Sequence, residues 1–154
     1  MPFFEQTLCF PRPIAEIFDF FSRPANWITV APPELHLRLL QGPDRIHKGA
    51  TLALKGRRWG LPQRVLTEVT AFEPNLMIRE EQRQGPLAKW IHTQHFEERN
   101  PGTRLREHVD YEPPGGLLGL TVTAAYLARD LETMFAYRAG KLRELLGAEL
   151  VNEQ

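Results

Sequence analysis

The chain has 154 residues, which suits one domain able to bury a core without disulfides or a structural metal. Its 19 basic and 19 acidic side chains leave no net charge, which argues against a partner read through phosphates, and no nucleic-acid partner is expected. A single cysteine, Cys9, excludes a disulfide framework and a Cys-rich zinc site.

Met1 to Phe10 alternates loosely and reads as a strand, ended by Pro11 and Pro13, which cannot donate to a ladder. The period then changes. Ile14, Ile17, Phe18 and Phe21 follow helical spacing, and Pro24 stops that helix. Asn26-Trp27-Ile28, before Ala31-Pro32-Pro33, reads as a second helical turn or a structured loop. Strands are expected over Leu35 to Leu40, Ala50 to Lys55, Gln63 to Phe72, Met77 to Arg83, Ala88 to Arg99 and Arg104 to Glu112. Turns fall at Gln41 to Asp44, Arg57 to Gly60, Glu73 to Asn75, Gly85-Pro86 and Asn100 to Thr103. Pro113-Pro114-Gly115-Gly116 breaks the sheet. A helix then runs to about Leu146, with Leu120, Ala124, Leu127, Leu131, Phe135, Leu142 and Leu145 as its apolar stripe. The stretch from Pro113 to Ala128 is uncharged, but it is shorter than the roughly 20 residues of a membrane span. Glu5 stands where a signal peptide would be basic, so a cytoplasmic chain with no integral membrane association is expected. Residues 1–148 are expected to form one domain and 149–154 a tail.

Facing residues follow from the hairpins. With Arg99 opposite Arg104, His92 faces Tyr111, Gln94 faces Val109 and Phe96 faces Glu107 on the side that also carries Trp90 and Leu105. If Glu68 pairs with Arg79 outside, then Val65, Thr67 and Val69 point inward with Ile78, Glu80 and Gln82. This inner face mixes apolar and polar groups. Buried polar groups need partners, so these either satisfy one another or line a cavity.

Residues 85–96 (GPLAKWIHTQHF), 103–116 (TRLREHVDYEPPGG) and 134–138 (MFAYR) resemble the START-like, SRPBCC or Bet v 1-like superfamily, and within it a bacterial branch of polyketide cyclase/dehydrase-like and ligand-binding proteins. The resemblance covers nearly the whole chain. It implies an α+β helix-grip fold: a curved antiparallel sheet of about six or seven strands around a long C-terminal helix, with two short helices after the first strand. It also implies a small hydrophobic ligand, such as a lipid, quinone or polyketide, or alternatively cyclase or dehydratase activity. Gln94 stands where that branch tends to have a histidine, and Glu107 where it tends to have an aspartate.

The residues expected to line a ligand are Phe18, Phe21, Glu80, Gln82, Trp90, His92, Gln94, Phe96, Glu107, Val109, Tyr111, Leu127, Leu131 and Phe135. The mouth would lie near Asn26 to Pro33 and Gly115-Gly116. An enzyme would use His92 or Glu107 as base and Tyr111 as proton donor. Arg138, set in the inner helical stripe, would need a carboxylate such as Glu80 or Glu107. No cofactor is expected, and no metal: His92 and His95 point to opposite faces of a strand, while His95, His108 and Asp110 read as a solvated outer patch. Lys55 to Trp59 reads as a solvated basic turn. A third reading has no ligand and makes the protein an interaction module, through an exposed helix face or a homodimer.

Overall fold

Among the residues described by the computed structural model, 2–151, eight strands form one antiparallel curved sheet in the order β2-β3-β4-β5-β6-β7-β1-β8. Strand β1 (Phe3–Phe10) leads into α1 (Ile14–Phe21) and α2 (Pro24–Thr29). Pro13 caps α1, whose Ile17, Phe18 and Phe21 are buried, and Pro24 opens α2 where its missing N–H costs nothing. The indole of Trp27 donates to the Phe21 carbonyl at 2.7 Å and locks the two helices together. Then follow β2 (Arg38–Gln41), β3 (Thr51–Arg58), β4 (Leu61–Glu73), β5 (Met77–Gln84), β6 (Lys89–Glu98) and β7 (Thr103–Glu112). Helix α3 (Ala124–Leu146) crosses the concave face, and β8 (Glu149–Val151) returns to pair with β1. The Thr123 hydroxyl caps α3 by accepting from Tyr126 N–H, and Gly147, in the left-handed region at φ 75°, ends it.

Several expectations are revised. Leu35 is the end of a 3-10 turn, Pro33–Leu35, and β2 begins only at Arg38, because His36 takes a left-handed conformation that no strand continues through. The turn at 57–60 tightens to Trp59-Gly60, both at positive φ, so β3 runs on to Arg58 and β4 starts at Leu61. Leu120 lies in a separate 3-10 turn, Leu118–Leu120, and is 76% exposed. Ala124 and Leu145 are also exposed; the buried stripe of α3 is Leu127, Leu131, Phe135, Ala139, Leu142 and Leu146. Residues 149–151, expected in a tail, form the edge strand β8, whereas 152–154, like Met1, lie outside the described residues.

Both hairpin registers move by two residues. Thr103 enters β7 opposite Glu98, and Arg99 N–H donates to Gly102 O to close the loop, so His92 faces Val109, Gln94 faces Glu107 and Trp90 faces Tyr111. On the other hairpin Glu68 faces Glu81, and a bulge at Thr70 puts Arg79 opposite Ala71. A two-residue shift preserves parity, so every residue keeps the face expected of it.

The apolar core falls into two clusters. One gathers Leu8, Phe10, Ile17, Phe18, Phe21, Ile78, Phe96, Leu105 and Leu142; the other gathers Leu87, Val109, Tyr111, Val122, Leu127, Leu131 and Phe135.

Candidate functional site

A belt of polar side chains separates the two clusters. It crosses five neighbouring strands: Thr67 on β4, Glu80 on β5, His92 and Gln94 on β6, Glu107 on β7 and Gln6 on β1. The register builds it, since Glu80 faces His92, Gln94 faces Glu107, and Glu107 faces Gln6. Arg138 closes it from α3, between Phe135 of one cluster and Leu142 of the other.

Glu107 is the centre of the belt, and its carboxylate has no exposure at all. Its Oε2 accepts from Arg138 Nη1 at 2.6 Å and Gln6 Nε2 at 2.8 Å, and its Oε1 accepts from Gln94 Nε2 at 3.0 Å. Burial pushes the Glu107 pKa up, but the Arg138 charge and the His92 contact outweigh it and hold the carboxyl far below its usual range. Arg138 thus has the carboxylate its position called for. Its guanidinium also lies 5.3 Å from the Phe21 ring centre and 5.4 Å from that of Phe135.

His92 sits between two carboxylates. Nδ1 is 3.5 Å from Glu80 Oε1, and Nε2 is 3.3 Å from Glu107 Oε1, but the latter approach is off line and leaves Nε2 buried without a directed hydrogen bond. Burial alone would lower its pKa; the Glu107 and Glu80 carboxylates beside the ring reverse this and raise it. Glu80 also accepts from the Thr67 hydroxyl at 3.2 Å.

Beside this polar pair the sheet and α3 part to leave two adjoining cavities. One, about 170 Å³, is walled by Phe21, Trp27, Val30, Ile78, Phe135 and the belt residues Glu80, His92, Gln94 and Arg138. The other, about 180 Å³, is lined by Val65, Gln82, Pro86, Leu87 and the β3–β4 hairpin. Leu35, Leu37, Leu54, Trp90 and Met134 belong to both.

Of the residues expected to line a ligand, Phe21, Glu80, Gln82, Trp90, His92, Gln94 and Phe135 therefore border a cavity. Phe18 and Phe96 instead pack against each other, 5.0 Å between ring centres, in the first cluster. Val109, Tyr111, Leu127 and Leu131 are buried in the second cluster and line neither cavity. Glu107 is sealed behind its partners. Tyr111 faces Trp90 rather than His92, so the register does not pair the two groups as acid and base, and burial and the Glu132 charge raise its phenol pKa. Trp27, Val30, Ala31, Pro32, Leu35 and Leu37 line the cavities, whereas Gly115-Gly116 contributes nothing to the lining. Sequence reasoning missed Leu35, Leu37, Leu54 and Met134. The first two lie in a stretch misread as a strand, and Met134 is off the main stripe, one residue from Phe135.

On the outer face His108 lies 2.7 Å from Glu5 and 3.1 Å from Asp110 and stacks on Phe3, whereas His95 faces Arg106. Among the described residues no cluster of three His, Cys, Asp or Glu side chains is arranged to hold a metal, and no helix is long and apolar enough to cross a membrane.

The fold is shared widely. A Chromobacterium violaceum protein superposes with a TM-score of 0.73 at 11% identity, over 95% of this chain and 98% of that one. A START superfamily protein from Mycobacterium smegmatis gives 0.68 at 18% identity, over 93% and 98%. StfQ, a di-domain ARO/CYC protein of the steffimycin biosynthetic pathway, gives 0.74 at 15% identity, over 94% of this chain and 50% of its own. No curated protein matches the chain in sequence. The family model for polyketide cyclase/dehydrase and lipid transport proteins, however, matches residues 1–147, and the chain belongs to that family.

Proposed function

We propose that this protein binds a small, largely apolar molecule in the paired cavities, with the one polar group of that molecule set against Glu80 and His92. The observation that carries this reading is the Glu80–His92 pair, set with Gln94 and Arg138 at one side of a cavity whose other walls are aromatic and aliphatic. A cavity of about 150 Å³ takes one benzene ring, so each lobe offers room for about one ring.

Native mass spectrometry of freshly purified protein, followed by organic extraction, tests this. A retained lipid, quinone or polyketide supports it; an empty protein that binds no hydrophobic probe overturns it. Met134→Trp, at the junction of the two lobes, should abolish probe binding while the fold persists. Substitution of Glu80 by Gln should only weaken it.

A catalytic reading has one specific support, and it differs from the scheme expected from sequence. Its raised pKa favours the protonated form of His92, which suits a general acid better than a base, while Glu107 is too firmly held to accept a proton. StfQ, whose description reads ARO/CYC, shares this fold. If the reaction is cyclisation or dehydration of a polyketide-like substrate, His92→Ala should remove turnover and keep most binding. Unchanged turnover in that variant rules the scheme out.

A further inference from the structure

The molecule is neutral, yet its charges are unevenly placed. From Lys48 to Thr67 the chain carries five basic residues and no acidic one. The register lines three basic residues up across adjacent strands: Arg38 on β2 faces Lys55 on β3, and Lys55 faces Arg64 on β4. All three are exposed, as is Arg57, which follows two residues along the same face of β3. His36, Arg38, Lys55 and Arg57 border one open concavity that no acidic side chain enters. Like charges directly opposed across strands destabilise a sheet, so folding alone disfavours this row.

The same end of the sheet is also apolar. Leu61, at the close of the β3–β4 hairpin, is 46% exposed, and Leu117 and Leu120 are 85% and 76% exposed. Leu118, between those two, packs against the same core cluster as Trp59 of the hairpin tip, and the segment follows β7 from the end of the sheet at which that hairpin turns. Arg58 bonds Asp130 on α3 at 2.8 Å and fixes the hairpin against the helix, so the arrangement is held rather than loose.

We propose that this end of the sheet docks on an anionic lipid bilayer. Arg38, Lys55, Arg57 and Arg64 meet the headgroup phosphates, while Leu61, Leu117 and Leu120 enter the interface. Basic side chains at headgroup level beside inserting apolar ones is the chemistry of peripheral membrane binding. A nucleic-acid partner would use the basic row but gain nothing from exposed leucines. The hairpin also lines the second cavity, so docking would bring that opening to the bilayer; the proposal stands whatever the cavity holds.

The test is flotation of the full chain with phosphatidylcholine vesicles, with and without phosphatidylglycerol. Binding is expected only to the anionic vesicles, and it should weaken as salt rises. Substituting Arg38, Lys55 and Arg64 together by Gln should weaken it roughly fivefold per charge removed, on the order of a hundredfold in all. The melting temperature should hold or rise, because the opposed charges are gone; this separates lost docking from lost folding. Leu117→Ser with Leu120→Ser should weaken binding at constant lipid charge. Equal binding to both vesicle types, or a triple variant that floats like the parent, would overturn the proposal. So would binding to a DNA duplex through the same row with none to vesicles.

Discussion

Glu107 and Arg138 are a buried pair whose members depend on each other. Removing one partner of such a pair typically costs about 3–5 kcal/mol, because the other charge stays buried alone, whereas replacing both with apolar residues is often close to neutral. Arg138→Met should therefore destabilise the protein by about that much in chemical denaturation, and Glu107→Met in the same chain should recover most of it. The pH dependence follows from the same cluster. His92 titrates above 6.5 in the folded state, so its contribution is complete below about pH 6.5 and is lost as the pH rises through the folded value. Glu107 acts oppositely: its contribution is present above about pH 4.5 and fades only in strong acid. A plot of melting temperature against pH should fall on the alkaline side, and His92→Gln should flatten that fall. His108, also raised but at the surface, adds a smaller term that His108→Gln would isolate. The need of Arg138 for a carboxylate was legible in the sequence from its place on an apolar stripe. The role of Gln6 was not, because it depends on β1 lying beside β7, a pairing about a hundred residues apart in the chain.

Among the secondary elements, alternation told more than turn chemistry did. The faces of β5, β6 and β7 were readable because period-two patterning survives any even shift of register. The pairs themselves were not, because sliding the four-residue loop between β6 and β7 by one position along the chain moves every pairing by two residues. That loop also carries a test. Gly102 has φ 114°, and a Cβ there would collide with the Phe10 carbonyl. Gly102→Ala should cost well over 1 kcal/mol, more than a positive φ alone exacts, by disturbing the junction of β1 and β7. Gly49→Ala, at φ 88° with open space around it, is the control that isolates the backbone effect. The segment after α2 escaped reading for a different reason: Leu35 and Leu37 are apolar because they wall a cavity, and alternation there imitated a strand.

Across the whole molecule, the helix-grip arrangement was legible from the order of elements, since a long amphipathic helix after a run of strands must cover their concave face. The division of the core by a polar belt was not, because it arises from six residues spread over five strands and one on α3. That division places His92, a buried group with a raised pKa, at the wall of a cavity, with Glu107 sealed behind it. Strand β1 has a different consequence. It is the first element in the chain, yet its neighbours on either side are β7 and β8, the last strands in the order. A ribosome releases β1 long before either neighbour exists, so the early chain must wait with that strand's backbone unpaired. Refolding should be slow for a chain of this size, and partly synthesised chains should engage chaperones until α3 and β8 emerge.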